Sequence, residues 1–320
     1  MNEPKLSVVM GVHNAARELD ATLDSVFAQT GVDFEFVVVD DGSTDLTGRV
    51  LESYARRESR LRVLSFAGNR GLTEALIAGC KAARGNYIAR QDAGDRSLPG
   101  RLAEQAAWLD AHPEAVLVSC HTRFIGLYGE PLYERCIPAS ELKEMLTVGV
   151  DGDFRGPSHH GSVMMRAAAY RRAGGYRQPF IVAQDLDLWL RLVELGELGV
   201  LETVGYESQA SPTGISAQRI GMQTHLAKLA GELARARRDG KDEAARLASY
   251  QVPTSESANI HDALSQRHRY AAYTYFLGRC ISATNPLAAR RYYLDGLARC
   301  PWHLRSWYGL VASAFGSKPL

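Results

Sequence analysis

Short apolar runs alternate with amphipathic segments along the first hundred residues. The apolar runs, which are typical of buried parallel strands, are residues 6–12, 34–39, 61–66 and 87–89. The segments between them place apolar residues on one helical face, at about 16–29, 44–58 and 72–83. Strands that alternate with helices in this way predict an α/β fold with a doubly wound, mostly parallel sheet flanked by helices.

Polar residues follow each of these predicted strands. They are His13 and Asn14, Asp41, Arg70 and Gly71, and Asp92 with Asp95. The carboxyl ends of parallel strands meet at one edge of an open sheet, where ligands bind, so we expect these residues to converge. No glycine-rich fingerprint follows the first strand and no P-loop motif occurs, which argues against dinucleotide-binding and P-loop proteins.

The stretch from Gly85 to Pro99 contains two aspartates just after a predicted strand. Two carboxylates at a strand end suit Mg²⁺ or Mn²⁺, and such an ion suits a diphosphate. The alternative is that Asp92 and Asp95 form a turn before the next helix, with Ser97 and Pro99 as its entry signals. Local sequence leaves both interpretations open.

The pattern changes beyond residue 113. We expect strands at 116–120, 121–127 and 133–137, a helix at about 139–147, and then a Gly-, Asp- and His-rich loop at 150–161. A long irregular loop is often functional. Adjacent His159 and His160 are more typical of hydrogen bonding than of a metal pair.

A helix is predicted over residues 184–195. Asp185 lies in its first turn, where the helix dipole favours an ionised carboxylate; a simple helix cap is the alternative. Asp187, Arg191 and Glu194 are expected on a polar face. Aromatic residues at this spacing usually belong to the core, so we expect Trp189, and likewise Trp302 and Trp307, to be buried.

From about residue 215 the chain is predicted to be helical. Residues 217–238 form a mildly basic helix, interpreted as a solvated face, with membrane contact as the alternative. Leu277 and Leu310 recur 33 residues apart, which resembles a tetratricopeptide-like repeat. We therefore divide the chain into a catalytic domain at 1–215 and a helical region at 216–320, with the repeat-like part from about 258.

Composition limits the class of protein. The chain has 320 residues, 46% hydrophobic and 23% charged, with a net charge of +1, so nucleic acid is not expected as a partner. Its five scattered cysteines indicate free thiols in a reducing compartment. Neither a signal peptide nor an apolar run of about 18–20 residues is seen. We expect a cytoplasmic protein, with contact to the inner face of the plasma membrane as the alternative.

Five motifs together resemble one family. In order they are Ser7-Val8-Val9-Met10 with His13-Asn14, Val39-Asp40-Asp41-Gly42-Ser43-Thr44-Asp45, Asn69-Arg70-Gly71-Leu72, Gly85 to Asp95, and Gln184 to Leu192. This ordered set is similar to the family 2 glycosyltransferases, inverting enzymes with a GT-A fold, over roughly residues 5–215. Each motif is weak alone, but the ordered set is specific.

The resemblance implies roles for single residues. His13, Asn14, Asp41, Arg70, Gly71 and Asp92 would bind the nucleotide-sugar, and Asp185 would be the catalytic base. Asp92 opens the position of the metal motif, with Asp95 as a second candidate ligand for Mg²⁺ or Mn²⁺. The acceptor side would include His160, Gln184 and Trp189.

Three departures from the family pattern matter. Gly94 stands where the family has its second metal-motif aspartate, so either Asp92 or Asp95 could hold the ion. Gln184 replaces the glutamate that usually precedes the base, which removes a like charge and should leave the pKa of Asp185 less raised. The stretch 206–209 lacks the family's Arg and His, so one phosphate contact is missing.

The leading hypothesis is an enzyme that passes a sugar from a nucleotide-sugar, with UDP-sugars favoured, to a cell-surface glycan or its lipid-linked precursor. The alternative of another class is a non-catalytic nucleotide-sugar-binding or scaffolding protein on the same fold. A metal-dependent nucleotidyltransferase is a distant third, because it would need a basic glycine-rich loop after the first strand. The sequence does not specify the sugar, the acceptor or the oligomeric state.

Overall fold

A computed structural model describes residues 4–149, 153–211, 220–250 and 263–314 of the chain. It divides into two compact units. The first comprises Met1–Arg123, Glu134–Gln209 and Met222–Leu247, and the second comprises Phe124–Tyr133, Ala210–Gly221 and Ala248–Leu320. The predicted boundary at residue 215 and the tetratricopeptide-like repeat stay predictions.

The N-terminal half alternates strands and helices as predicted. The elements are β1 (Leu6–Val12), α1 (Leu19–Phe27), β2 (Phe34–Asp40), α2 (Thr47–Arg57), β3 (Leu61–Ser65), α3 (Leu72–Ala82) and β4 (Tyr87–Arg90). All residues of β1, β2 and β4 are buried. Strands covered on both faces need continuous apolar runs rather than alternation, which explains why the sequence pattern located them correctly.

The second half of the first unit is more irregular. Its elements are β5 (Arg96–Ser97), α4 (Arg101–Ala111), β6 (Ala115–Ile125), β7 (Pro131–Arg135), α5 (Ala139–Thr147), β8 (Met164–Arg166), α6 (Ala167–Arg172), α7 (Gln184–Leu192) and β9 (Glu197–Gln209). A turn of 3₁₀-helix at His160–Ser162 precedes β8. Two helices follow β9, namely α8 (Ile220–Arg238) and α9 (Glu243–Ala248).

The strands form one sheet in the order β3-β2-β1-β4-β8-β6-β9-β5, with β7 paired to β6. The first three pairings in this order, from β3 to β4, are parallel, and β8 then pairs antiparallel with both β4 and β6. The sheet is therefore mixed, and its parallel part is the N-terminal half. Because β2, β1 and β4 lie side by side and in parallel, the loops that follow them share one edge.

Two predictions about elements were wrong, and one strand was not predicted. Ser97 does not begin a helix but lies in β5, and the helix starts at Arg101. The two strands predicted at 116–120 and 121–127 are one strand, β6. Strand β9 was not predicted, because its one apolar run, Leu198-Gly199-Val200-Leu201, is short and its buried residues show neither a continuous run nor a regular alternation.

The basic face predicted at 217–238 packs within the first unit; Arg219 lies outside the described residues. Arg237 donates to Glu194 at 2.8 Å, Arg238 donates to the carbonyl of Leu146 at 2.8 Å, and Arg235 lies over the ring of Phe154 at 5.0 Å. These arginines therefore bind other parts of the protein. The described residues contain no helix that is long and apolar enough to cross a membrane.

In its described residues the second unit contains three helices of its own, α10 (Ala263–Ile281), α11 (Pro286–Arg299) and α12 (Leu304–Ala314). Asn285 caps α11 by accepting a hydrogen bond from the Ala288 amide at 3.0 Å, and Pro286 occupies the first turn. The core of this unit contains Leu132, Leu277, Ile281, Tyr292 and Tyr293.

Candidate active site

The loop that follows β4 brings the two predicted aspartates together with a histidine. Nδ1 of His159 lies 3.9 Å from Oδ2 of Asp92 and 3.7 Å from Oδ2 of Asp95. One ligand atom from each of the three residues lies within 4.8 Å of the others. Asp95 is buried, whereas a quarter of the Asp92 side chain is exposed. The cluster is thus open on one side. We call Asp92, Asp95 and His159 the carboxylate–histidine cluster.

The geometry of this cluster fits a small divalent cation. An oxygen ligand lies about 2.1 Å from Mg²⁺, so two ligands of one ion are at most about 4.2 Å apart. Both His159–carboxylate distances satisfy this limit. The donor set of two carboxylates and one imidazole suits first-row divalent ions such as Mn²⁺. The interpretation of Asp92 and Asp95 as a helix-entry turn does not explain why His159 faces both of them.

His159 is held in place through both ring nitrogens. Nδ1 accepts a hydrogen bond from the Gly161 amide at 3.0 Å, and Nε2 lies 3.2 Å from Oγ of Ser208 on β9. Nδ1, the nitrogen nearest to the carboxylates, is thus the acceptor of a hydrogen bond within its own loop. The ring also stacks on Tyr206, with centroids 5.3 Å apart.

Tyr206, on β9, connects the members of the cluster. Its hydroxyl oxygen accepts from the Asp92 amide at 3.1 Å, and its proton is donated to the Asp95 carboxylate. The side chain is completely buried. A Cβ atom at Gly161 would overlap with the Tyr206 hydroxyl. The close approach of loop and ring therefore requires glycine at this position.

Arg101 is buried beneath this network and contacts neutral acceptors. Nη2 donates to the carbonyls of Arg90 at 2.9 Å and of Gly161 at 2.6 Å, and Nη1 donates to Ser97 Oγ at 2.8 Å. Its guanidinium lies 4.9 Å from the centroid of Tyr206. One side chain thus joins the end of β4, strand β5, the His159 loop and β9. Burial lowers the pKa of Arg101 below its ordinary value.

The two aspartates are held in different electrostatic states. Burial opposes ionisation of Asp92, but the neighbouring positive charges, of which Arg90 contributes most, together outweigh it, and the pKa of Asp92 is lowered. Burial raises the pKa of Asp95 to about 6, and the charge of Asp92 contributes in the same direction. A cation bound between them would remove the cost of holding two carboxylates in one buried site.

Asp185 lies in the first turn of α7, as the sequence predicted, and the charge of Asp92 acts on it. Oδ1 accepts a hydrogen bond from the Leu186 amide at 2.8 Å. Backbone hydrogen bonds lower its pKa, in the sense expected from the helix terminus, but burial and then the charge of Asp92 raise it, with a net upward shift. The pKa of Asp185 is therefore raised even though Gln184 contributes no charge.

The turn that delivers Asp185 is strained. Ala183, which precedes α7, has φ of +56°, in the left-handed region that residues other than glycine and asparagine rarely adopt. The side chains around it are buried, including Gln184 and Val182. Backbone strain of this kind is found at functional sites, where packing holds the chain in one conformation.

The predicted acceptor-side residues His160 and Trp189 are neighbours, with ring centroids 6.0 Å apart. Nε2 of His160 lies 3.3 Å from Arg90 Nε and 2.8 Å from the Tyr176 hydroxyl. Burial, followed by the charge of Arg90, lowers the pKa of His160 to about 3, so the ring is neutral. Trp189 is buried as expected and packs on Gly156.

Most of the polar face predicted on α7 is in fact buried. Asp187 and Arg191 are almost completely enclosed and form an ion pair of 2.5 Å within the helix. The sequence spacing identified the pair but could not show that it points inward, because an i, i+4 pair looks the same on either face.

The predicted nucleotide-binding residues form a second connected group. His13 Nδ1 lies 2.9 Å from the Asp41 carbonyl, and Asn14 Oδ1 accepts from the Thr44 amide at 2.8 Å. The buried Asp41 carboxylate accepts from the amides of Arg70 at 2.7 Å and Gly71 at 2.8 Å. The loops after β1, β2 and β3 therefore meet, as the alternating pattern predicted.

The predicted hydrogen bonding of His159 and His160 is confirmed, but sequence reasoning did not place His159 beside the two aspartates of the cluster. Sequence reasoning also did not single out Arg101 or Tyr206. A signal for His159 existed, since it lies in the glycine-rich loop that the sequence marked as functional. Tyr206 and Arg101 carried no such signal, because their roles depend on β9 and α4 meeting at the end of β4.

Comparison with solved structures gives the fold. The protein is similar to TarS of S. aureus in a crystal structure with UDP (TM-score 0.54, 18% identity), with 98% of this chain and 92% of that chain covered. It is also similar to the mannosyltransferase PcManGT of Pyrobaculum calidifontis in complex with GDP-Man and Mn²⁺ (TM-score 0.56, 20% identity), over 98% and 87% of the two chains. These likenesses confirm the predicted GT-A fold.

Comparison of sequences gives the family. EpsE of Bacillus subtilis, which carries a glycosyltransferase name, is 35% identical over 61% of this chain and 69% of its own length. The amylovoran biosynthesis glycosyltransferase AmsE of Erwinia amylovora is 28% identical over 59% and 70%. The model of glycosyl transferase family 2 matches residues 7–173, more than half of the chain, including all three members of the carboxylate–histidine cluster. The chain therefore belongs to glycosyl transferase family 2.

Proposed function

We propose that this protein transfers a sugar from a nucleoside diphosphate sugar to a hydroxyl of a cell-surface glycan or its lipid-linked precursor, with inversion at the anomeric carbon. The observation that carries the proposal is the carboxylate–histidine cluster at the end of β4, and the charge of Asp92 acts on Asp185 in the first turn of α7. A base and a diphosphate-binding cluster on separate segments are what a single in-line displacement needs. The names of AmsE, and of the O-antigen biosynthesis glycosyltransferase WbnJ of Escherichia coli, support a polysaccharide product.

The proposed reaction is a single displacement at the anomeric carbon. The carboxylate of Asp185 accepts the proton of the acceptor hydroxyl, and the oxygen forms a bond to the anomeric carbon from the face opposite the diphosphate. The bond between that carbon and the diphosphate oxygen breaks, and the nucleoside diphosphate leaves with the electron pair. A raised pKa makes Asp185 a stronger base near neutral pH than an exposed aspartate.

Asp92, Asp95 and His159 would hold the divalent cation, with Mn²⁺ and Mg²⁺ as candidates. A bound cation supplies positive charge that stabilises the departing diphosphate. Binding of the cation through His159 Nδ1 would use the lone pair that now accepts a hydrogen bond from the Gly161 amide. The structure of PcManGT with GDP-Man and Mn²⁺ supports this assignment by likeness of fold.

His13, Asn14, Asp41, Arg70 and Gly71 would bind the nucleoside at the same edge of the sheet. The Arg70 side chain is exposed and lies over the Phe66 ring at 4.5 Å, so it can reach a phosphate or a base. The structural neighbours were solved with UDP and with GDP-Man, so uridine and guanosine diphosphate sugars are both candidate donors. From the sequence we favour a UDP-sugar.

Calorimetric titration of UDP, GDP and dTDP, each with and without Mn²⁺, tests the proposal. We expect one nucleotide to bind in a Mn²⁺-dependent manner, and Asp95→Asn to weaken that binding by about tenfold or more. Asp239→Asn removes an exposed carboxylate outside the cluster and should leave it unchanged. If a well-folded protein binds none of the three, the donor assignment is wrong and the scaffolding alternative gains support.

A further inference from the structure

Helix α12 presents large apolar side chains to solvent. Leu304, Trp307, Tyr308 and Val311 are 80%, 49%, 46% and 53% exposed. Their spacing is i, i+3, i+4 and i+7, so they form one continuous stripe along the helix. We call these four residues the apolar stripe. A surface helix normally turns such a stripe towards the core, so this orientation requires an explanation.

The inward face of α12 shows why the helix cannot simply rotate. Ser306, Ala312 and Ser313 are buried, and a Cβ on Gly309 would lie 2.7 Å from Tyr293. Oγ of Ser313 accepts from Arg290 Nε at 3.3 Å. Small residues fit closely against α11 on this face, and Trp307 or Tyr308 could not replace them. The packing therefore fixes the apolar stripe on the outside.

Further exposed apolar residues belong to the same unit. Trp302 is 57% exposed just before α12, and Leu287 and Leu294 on α11 are 71% and 53% exposed. Trp302 and Trp307 were expected in the core, and that prediction was wrong because both side chains are exposed. Tryptophan and tyrosine with one apolar body and one polar edge are the residues enriched where protein meets the membrane–water interface.

The helices that carry these residues are strongly basic. Residues 263–314 contain seven arginines and one aspartate, without lysine or glutamate, which gives this stretch a formal charge of +6 in a chain whose total is +1. Arg267, Arg291, Arg299 and Arg305 are exposed. The positive charge of the protein is thus concentrated in the unit that also carries the apolar stripe.

We propose that the apolar stripe docks on the surface of an anionic membrane. Its side chains would enter the boundary between headgroups and acyl chains, while exposed arginines such as Arg305 on the same helix pair with lipid phosphates. A second copy of this chain would place two strongly basic helical stretches against each other, and an acidic protein surface would satisfy the charge but not the stripe. An anionic bilayer satisfies both. This proposal does not depend on the reaction proposed above.

Vesicle sedimentation of the full chain, together with its tryptophan fluorescence, tests the proposal. We expect binding to vesicles with about 30% phosphatidylglycerol to be roughly tenfold tighter than to pure phosphatidylcholine, and to weaken as salt screens the arginines. The fluorescence of Trp302 and Trp307 should shift to shorter wavelength on binding, because both rings leave water.

Two double variants distinguish vesicle binding through the apolar stripe from nonspecific hydrophobic binding. Leu304→Ser with Val311→Ser should lower the partition into anionic vesicles by about tenfold, since two aliphatic side chains are lost from the bilayer contact. Leu46→Ser with Val148→Ser removes two aliphatic side chains of similar exposure from the first unit and should leave binding unchanged. All four residues are exposed, so both variants should fold, which circular dichroism checks.

Three outcomes would overturn the proposal. One is equal binding of the full chain to neutral and anionic vesicles, and another is undiminished binding of the α12 variant. The third is a concentration-dependent dimer, seen by analytical ultracentrifugation, that the α12 variant abolishes while no vesicle binding occurs. That result would assign the apolar stripe to a contact between two copies.

Discussion

Arg90 donates a hydrogen bond of 2.6 Å from Nη2 to Oδ1 of Asp92, two residues further along the chain. The guanidinium is completely buried, whereas the carboxylate is partly exposed. Arg90 also donates to the Val9 carbonyl and to Nε2 of His160, so it connects β1, the end of β4 and the His159 loop. A buried cation thus keeps Asp92 ionised at the point where a metal–diphosphate pair is proposed to bind.

Replacing Arg90 should destabilise the protein strongly. Arg90→Met leaves Asp92 without its ion-pair partner and the Val9 carbonyl without a donor, and we expect a loss of about 3 kcal/mol. Arg96→Met, which removes an exposed arginine 3.9 Å from Glu207, should cost less than about 1 kcal/mol. Urea unfolding of both variants measures the difference, and equal losses would contradict a structural role for the buried pair.

Tyr206→Phe should weaken metal binding without disturbing the packing. The Tyr206 ring, which stacks on His159 and contacts the Arg101 guanidinium, remains. The hydroxyl that contacts the Asp92 amide and the Asp95 carboxylate is lost. We expect a stability loss of about 1–2 kcal/mol and Mn²⁺ affinity lowered by roughly tenfold.

Tyr87→Phe is the matched control for this variant. Tyr87 lies at the start of β4, away from the cluster, and donates a hydrogen bond of 2.6 Å to Asp110. Its loss should cost a similar amount of stability and leave Mn²⁺ binding unchanged. Calorimetric titration of Mn²⁺ compares the two, and identical affinities in both variants would show that the Tyr206 hydroxyl is not needed.

Asp185→Asn should abolish transfer but retain donor binding. The amide cannot accept the acceptor proton, and general-base catalysis typically contributes about 10²–10⁴ in rate. We therefore expect turnover to fall by roughly 10³ while nucleotide affinity changes by less than about twofold. Release of nucleoside diphosphate in the presence of a glycan acceptor measures turnover.

Asp33→Asn, an exposed aspartate in the loop before β2, is the control for Asp185→Asn and should be fully active. Turnover by Asp185→Asn close to that of the unmodified protein would mean that another group accepts the proton. Loss of donor binding together with turnover would instead assign Asp185 to the donor side.

Glu35 should make folding stability depend on pH. It is buried on β2, and burial opposes its ionisation, but hydrogen bonds from Arg62, Arg84 and Ser7 lower its pKa from 4.5 to about 2. The unfolded state therefore binds more protons between these pH values, and stability rises with pH across the interval.

The stabilisation from Glu35 is complete above pH 4.5 and is lost as pH falls towards 2. A shift of this size corresponds to at most about 3 kcal/mol. The stability difference between the unmodified protein and Glu35→Gln should thus narrow to about half between pH 7 and pH 3. Urea unfolding at several pH values measures it. Glu52→Gln, at an exposed position, should show little pH-dependent difference.

The N-terminal half of the fold could be predicted from sequence because its strands are covered on both faces. Continuous apolar runs such as Phe34–Asp40 have few alternatives, and the polar residues after them, such as Asp41, must then lie at one edge. Strand β9 could not be predicted in the same way, because only five of its thirteen residues are buried and they follow neither a continuous run nor a regular alternation. The contribution of Tyr206 to the site was therefore not visible in the sequence.

What the sequence by itself determined is the order of strands and helices and the residues that follow each strand, because both depend on local periodicity and chain direction. What only the tertiary structure decided is which of those residues meet. His159 reaches Asp95 because Gly161 allows the loop to approach Tyr206, and the apolar stripe of α12 faces outward because Gly309 fits against Tyr293. These outcomes depend on packing between segments distant in sequence, and periodicity carries no information about such contacts.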